Sequence, residues 1–233
     1  ISKATSDEHC DEIKNVIKKY HRYKTEHKIW DFEDVLFQFN KALKDRKFAR
    51  RVTKRNKHIL MDEMQDANKL QWSILERLAN AGSHLFVVGD TTQAIFRFRG
   101  ADPDLIHSVK KRLDDTRTYH AKTNYRSSAS LLALTNVARR LAAPNSKLLY
   151  TNNAEVGDKP ILLNAGDQKD LLIKFKSAIR LLNQKGFSNN SILVISRTNK
   201  LSDIFGNCSE LNRNEVMPKL STMHKAKGIE SDA

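Results

Sequence analysis

HILMDEMQD (58–66) and HLFVVGD (84–90) decide the fold, together with the stretch that joins them. Each opens as a short apolar run and closes on acids: Asp62, Glu63 and Asp66 in the first, Asp90 in the second. Short apolar runs bounded by turn-forming residues predict buried strands. Between them, KLQWSILERLANAG (69–82) repeats its apolar residues at helical spacing and stops at Gly82, which predicts a helix. Strand, helix and strand at this spacing make a βαβ unit, and a βαβ unit implies a parallel sheet. In such sheets ligands sit beyond the carboxyl ends of the strands. Asp62, Glu63 and Asp90 fall there.

Two adjacent acids at a strand end can do different jobs. One holds a magnesium ion through its water shell. The next orients or deprotonates a water that attacks a γ-phosphate. The same cluster is also a common charge group at a helix N-terminus. On its own it fits both.

Upstream, residues 1 to about 55 read as helical. Ile13, Val16, Ile17 and Tyr20 recur at three- to four-residue spacing, and so do Phe32, Val35, Leu36 and Phe39. KDRKFARRVTKRNK (44–57) is a basic run. Such runs are ordinarily solvated helix faces, with contact to DNA as the alternative. Downstream, a second α/β series follows. Strands are predicted at 117–122, 159–165 and 191–197, helices at 127–143 and 168–184, and a strand running into a loop at 219–228. The boundary between the two series falls near residues 111–117. Trp30 and Trp72 read as core or helix packing, and Phe96 as packing.

The chain has 233 residues, a formal charge of +14 and a pI of about 9.8. A charge of that sign and size suits a polyanionic partner, chiefly nucleic acid. Cys10 and Cys208 form no metal-spaced set, and a reduced, cytoplasmic setting is the simpler expectation. His9, His21 and His27 have no matching ligand cluster, so solvent exposure is expected for them. No run approaches the ~18 apolar residues of a membrane span, and the first residues do not read as a secretory signal. The absence of an initial Met, and an end just after a motif, suggest truncation at both ends.

Five motifs in order then carry a resemblance. Asp31-Phe32-Glu33-Asp34-Val35-Leu36 precedes Asp62-Glu63-Met64-Gln65-Asp66. Gly89-Asp90-Thr91-Thr92-Gln93 runs on through Phe96, Phe98 and Arg99 to Gly100-Ala101. Asn124-Tyr125-Arg126-Ser127 and Thr222-Met223-His224-Lys225-Ala226-Lys227-Gly228-Ile229-Glu230 follow. Together they resemble the UvrD/Rep/PcrA helicases of superfamily 1, over most of residues 31–232. The resemblance implies an α/β fold with two partial RecA-like P-loop NTPase cores, both with parallel sheets. A helical segment, 1–56, would precede the rest of the first core, 57–114, and the second core would be 115–233.

The resemblance also implies roles. ATP and Mg2+ would be the cofactors and single-stranded or partly duplex DNA the partner. Asp62 would contact the metal and Glu63 would be the catalytic base. Gln93 would sense the γ-phosphate, Tyr125 would stack on adenine and Arg126 would contact the γ-phosphate. Glu230 would bind the ribose, while His224 and Lys227 would join the polar network between nucleotide and DNA. Phe98 would stack on a base, and Arg99 would tie its motif to the acidic cluster. The expected activity is ATP-dependent helicase or translocase movement, 3′ to 5′ on single-stranded DNA.

The chain departs from that pattern in several places. None of its eight glycines is followed by Lys, so the phosphate loop G-x-x-x-x-G-K-[ST] is absent. The last family motif is also missing, and truncation is expected to account for both gaps better than degeneration within the motifs. Negligible ATPase activity is therefore expected of these 233 residues alone. Only 22 residues separate Arg197-Thr198-Asn199 from Thr222, too few for the large accessory domain that such helicases insert there. Ser231 stands where the family prefers Phe. Two alternatives remain at this level: a non-catalytic DNA-binding or regulatory module of helicase shape, and a RecB-type nuclease-helicase subunit.

Overall fold

The computed structural model describes residues 3–144, 147–152, 156–206 and 218–229. The chain divides into two compact units, Ile1–Tyr119 and His120–Ala233.

The first unit opens with three helices: α1 (Lys3–His27), α2 (Phe32–Ala42) and α3 (Arg46–Arg55). Asp31 starts α2 with a reciprocal cap. Its carboxylate accepts from the Asp34 N–H at 2.9 Å, and the Asp34 carboxylate accepts from the Asp31 N–H at 3.1 Å. Asp45 caps α3 by accepting from the Phe48 N–H at 2.7 Å. Lys24, buried on α1, donates to Asp31 at 2.8 Å and to Asp34 at 2.6 Å, tying the end of α1 to the start of α2.

Strand β1 (His58–Met61), helix α4 (Lys69–Asn80) and strand β2 (His84–Val87) then form the expected βαβ unit. The strands pair in parallel, His58 opposite His84 and Met61 opposite Val87. Side chains alternate across a sheet. Ile59, Met61, Leu85 and Val87 face the helices, while Leu60 and Phe86 face outward, 75% and 59% exposed. The strands were expected to be buried. They are covered on one face only, because α2, α3, α4 and α5 all contribute to packing on that side.

Helix α4 carries the core on two sides. Trp72 packs with Met64, Ala67 and α5 (Leu105–Arg112) through Leu105 and Val109. Ile74 and Leu78 pack with Leu43 and Ala49 of the α2–α3 region. An Asn68–Gln71 capping box starts α4, both bonds being 2.9 Å. Trp72 is core as expected, but Trp30 is not: it is 66% exposed, in the link between α1 and α2, where neither helix face covers it.

The second unit holds β3 (Thr123–Asn124), α6 (Ala129–Ala142), β4 (Tyr150–Thr151), α7 (Gln168–Gln184), β5 (Leu193–Ser196), α8 (Asn199–Gly206), β6 (Lys219–Thr222) and α9 (Met223–Ala226). Its strands pair in parallel as β3 with β4 and β5 with β6. Leu132, Ile179 and Ile192 are buried, and the rings of Phe175 and Phe205 lie 4.5 Å apart. Two strand expectations fail here. Residues 117–122 are irregular and only Thr123–Asn124 join a ladder. Residues 159–165 form no strand, and Leu162 is 95% exposed. Apolar, β-prone side chains make a strand only where a neighbour accepts their backbone hydrogen bonds; among the described residues 159–165 have none. The 219–228 segment gives β6 and then the short helix α9 rather than a loop.

Among the described residues, no helix is long and apolar enough to cross a membrane.

Candidate functional site

β1 ends at Met61, and the chain then turns sharply. Glu63 takes the left-handed conformation, φ 51° and ψ 42°, which L side chains seldom adopt. The turn throws Asp62 and Glu63 outward and drops Met64 and Gln65 into the interior, where both are fully buried. Asp62 steadies it by accepting from the Glu63 N–H at 2.8 Å. The Met64 N–H donates to Val88 O at 2.8 Å and the Val88 N–H to Met61 O at 2.9 Å, so the turn is bonded to the end of β2.

Gln65 is the hub. Its Nε2 donates to Glu63 Oε2, and its Oε1 accepts from the Asp90 N–H at 2.9 Å. One buried amide thus links the two acidic strand ends. Gly89 permits the approach: a Cβ there would lie 2.6 Å from Gln65 Oε1 and 3.1 Å from Met64 N. Asp90 Oδ1 accepts from the Thr92 N–H and hydroxyl at 3.0 and 2.7 Å, and Asp90 Oδ2 from Gln93 Nε2 at 3.2 Å. Asp62, Glu63, Asp90 and Gln93 therefore form one connected polar group, as their positions at strand ends imply. Gln65 was not among the residues expected to carry the chemistry. The signal was an uncharged amide within a run of acids, able to donate to one group and accept from another.

Past Gln93, Phe96 is half-buried and Phe98 is 68% exposed. The Arg99 guanidinium lies 5.1 Å from the Phe96 ring centre and 5.6 Å from that of Phe98. Among the described residues, the expected tie from Arg99 to the acids is not formed. A cation over ring faces is a stable alternative for a solvent-facing arginine.

In the second unit, Asn124 shapes the turn that presents Tyr125 and Arg126. Its Oδ1 accepts from the Arg126 N–H at 3.0 Å and the Ser127 N–H at 2.7 Å. Tyr125 is 77% exposed, and Arg126 is exposed beside it. Thr222, buried at the end of β6, starts α9, which carries His224 and leads into Lys227. A concavity of about 490 Å³ lies between α8, β6 and α9, lined by Asn199, Ser202, Thr222 and Lys225 among others. Glu230 lies outside the described residues, as do 207–217 in the short link before Thr222.

Magnesium binding can be tested on the donor set. Asp62 is exposed at a strand end, and one of its oxygens is bonded to the Glu63 N–H. Among the described residues, no three His, Cys, Asp or Glu side chains cluster as a metal cage. One or two hard carboxylates without a cage suit Mg2+, which takes its remaining ligands from water and phosphates.

Two parallel β-α units that present acids, amides and arginines at strand ends define a RecA-like α/β protein. The chain belongs to the UvrD-like helicase family: residues 2–114 match the UvrD/REP helicase N-terminal domain, and residues 119–219 match the UvrD-like helicase C-terminal domain. It is 28% identical over 225 residues to a probable DNA helicase of Mycoplasma pneumoniae, covering 93% of this chain and 42% of that protein. It is 28% identical over 204 residues to the ATP-dependent DNA helicase PcrA of Staphylococcus epidermidis, covering 87% of this chain and 28% of that one. The putative ATP-dependent DNA helicase YjcD of Bacillus subtilis is also 28% identical, over 198 residues, 83% of this chain and 26% of YjcD. The chain thus spans less than half the length of these relatives.

Proposed function

We propose that the protein is an ATP-dependent DNA helicase or translocase that uses Mg2+ and moves 3′ to 5′ along single-stranded DNA inside the cell. The observation that carries the reading is the Gln65 bridge, which holds Glu63 and Asp90 in one connected group at adjacent strand ends.

Phosphoryl transfer is catalysed mainly by positioning and charge. Asp62 would hold the Mg2+, which would supply neutralisation of phosphate charge. Glu63, exposed and oriented by Gln65, takes the proton from the attacking water. Gln93 reports the γ-phosphate to the DNA-facing segment three to six residues further on. Tyr125 stacks on the adenine, Arg126 meets the γ-phosphate, and Glu230 holds the ribose. His224 and Lys227 complete the polar network. Phe98 stacks on a base, a sequence-tolerant grip worth roughly 1–3 kcal/mol per base, and Arg99 adds its charge to that grip.

The test is DNA-stimulated ATP hydrolysis by the full-length protein, with strand displacement from partial duplexes carrying a 3′ or a 5′ tail. Hydrolysis that rises with single-stranded DNA, and displacement confined to 3′ tails, are expected. Hydrolysis indifferent to DNA would refute the motor, and displacement from 5′ tails would refute the polarity.

A further inference from the structure

Helix α3 carries a charge pattern that the nucleotide and base-stacking motifs do not use. Eight of the fourteen residues from 44 to 57 are Lys or Arg, and the one acid, Asp45, is committed to the helix cap. Arg46, Arg50 and Lys54 form one column at four-residue spacing; Lys47, Arg51 and Arg55 form a second beside it. All six are exposed. Four residues of helix advance about 6 Å, so each column repeats a cation at that interval. No salt bridge among the described residues engages any of the six. Arg51 lies 5.8 Å from the Phe48 ring centre, which leaves its charge uncompensated.

The opposite face of α3 is spent. Ala49 and Thr53 are buried, and Phe48 and Val52 pack against the cluster of Leu43, Ala49, Ile74 and Leu78. The stripe is therefore presented rigidly, on a helix fixed to the core. No apolar face remains for insertion into a lipid surface. Phe48, half-buried beneath Arg51, gives no open ring on which an unpaired base could stack. What remains is a fixed double row of cations, rich in arginines whose guanidinium forks match phosphate oxygens.

We propose that α3 is a second DNA-contact surface, which grips the phosphate backbone of duplex DNA without reading its sequence. α3 leads into β1 at its amino end, whereas Asp62 and Glu63 leave β1 at its carboxyl end. The stripe is thus a site separate from the acids. The inference rests on the DNA-motor reading and adds to it: Phe98 holds the single strand, and α3 holds duplex.

The test compares three forms of the chain: unaltered, a quadruple Arg50→Gln, Arg51→Gln, Lys54→Gln, Arg55→Gln variant, and Phe98→Ala. Each is titrated at several salt concentrations with a labelled short blunt duplex, a labelled oligothymidine and anionic phospholipid vesicles. Circular dichroism confirms that both variants keep their helix content. The quadruple variant is expected to lose duplex affinity at least about tenfold. Its log–log salt slope should fall by about 3 to 4, near 0.9 per lost phosphate contact, with oligothymidine binding far less affected. Phe98→Ala should show the reverse pattern. Unchanged duplex affinity and slope in the quadruple variant would overturn the α3 site while leaving the motor reading standing. Loss of vesicle binding in place of duplex binding would overturn it too. If the unaltered chain binds neither nucleic acid, both the α3 site and the Phe98 contact fail, while the motor reading is decided separately by the full-length protein.

Discussion

The buried Gln65 amide accepts the backbone N–H of Asp90 at 2.9 Å, across from one strand end to the next. Gln65→Ala strips that N–H of its partner in a part-buried setting and releases Glu63. Leaving such a donor unpaired costs roughly 1–3 kcal/mol. Denaturant unfolding should show a loss of that size, and ATP turnover by the full-length protein should fall as well. A variant of unchanged stability would mean that the amide is not the hub.

Gly89→Ala tests the same junction from the other side. The added methyl would sit 2.6 Å from Gln65 Oε1, so the amide or the strand end must shift. Overpacking of this kind costs about 1–3 kcal/mol. Equal stability of Gly89→Ala and the parent would show that Gln65 moves freely.

Trp72 is 2% exposed and its Nε1 has no hydrogen-bond partner among the described residues. Trp72→Phe removes the orphaned donor and keeps much of the ring, so it should cost far less than Trp72→Ala. The alanine variant should lose about 3–5 kcal/mol. Comparable losses in both would indicate an ordered water on Nε1.

The Lys24–Asp31–Asp34 link should set a pH window for the docking of α1 on α2. Hydrogen bonds from Lys24 and from the Asp34 N–H hold the Asp31 carboxyl well below its usual range. The hydrogen bonds to Asp31 and Asp34 push Lys24 up to about 12. A lowered carboxyl contributes stability that is present above its unfolded pKa, near 3.8, and is lost as pH falls toward its folded value. A raised amine contributes stability that is complete below 10.5 and is lost as pH rises through about 12. Protection of the amides at the α1–α2 junction, relative to their intrinsic exchange rate at each pH, should therefore be highest between these limits and fall outside them. Lys24→Met should flatten the acid limb; a limb of the same steepness would assign it to other carboxylates.

The βαβ unit was legible because two local signals agreed. Apolar runs ended in acids, and a periodic helix between them ended in Gly82. The strand at 159–165 was misread because Ile161, Leu162 and Leu163 signal a strand without showing whether a neighbour pairs with it. Trp30 was misread because an aromatic in a link looks the same as one on a helix face. At the site, motif order led to Asp62, Glu63 and Gln93. The role of Gln65 depends on the turn at Glu63 and on the close approach of Gly89, and neither leaves a mark in residue type alone. Arg99 shows the converse: its ring contacts depend on local rotamers that no motif specifies.

The most direct test of the motor is Glu63→Gln in the full-length protein, which keeps the shape of the side chain and removes its basicity. ATP binding, by fluorescent nucleotide titration, and single-turnover hydrolysis with saturating single-stranded DNA are measured together. Binding within a few-fold of the parent, with hydrolysis lowered by roughly 10²–10⁴-fold, is expected for loss of a general base. Hydrolysis at the parent rate would remove Glu63 from the reaction and leave the Gln65 junction a purely structural device.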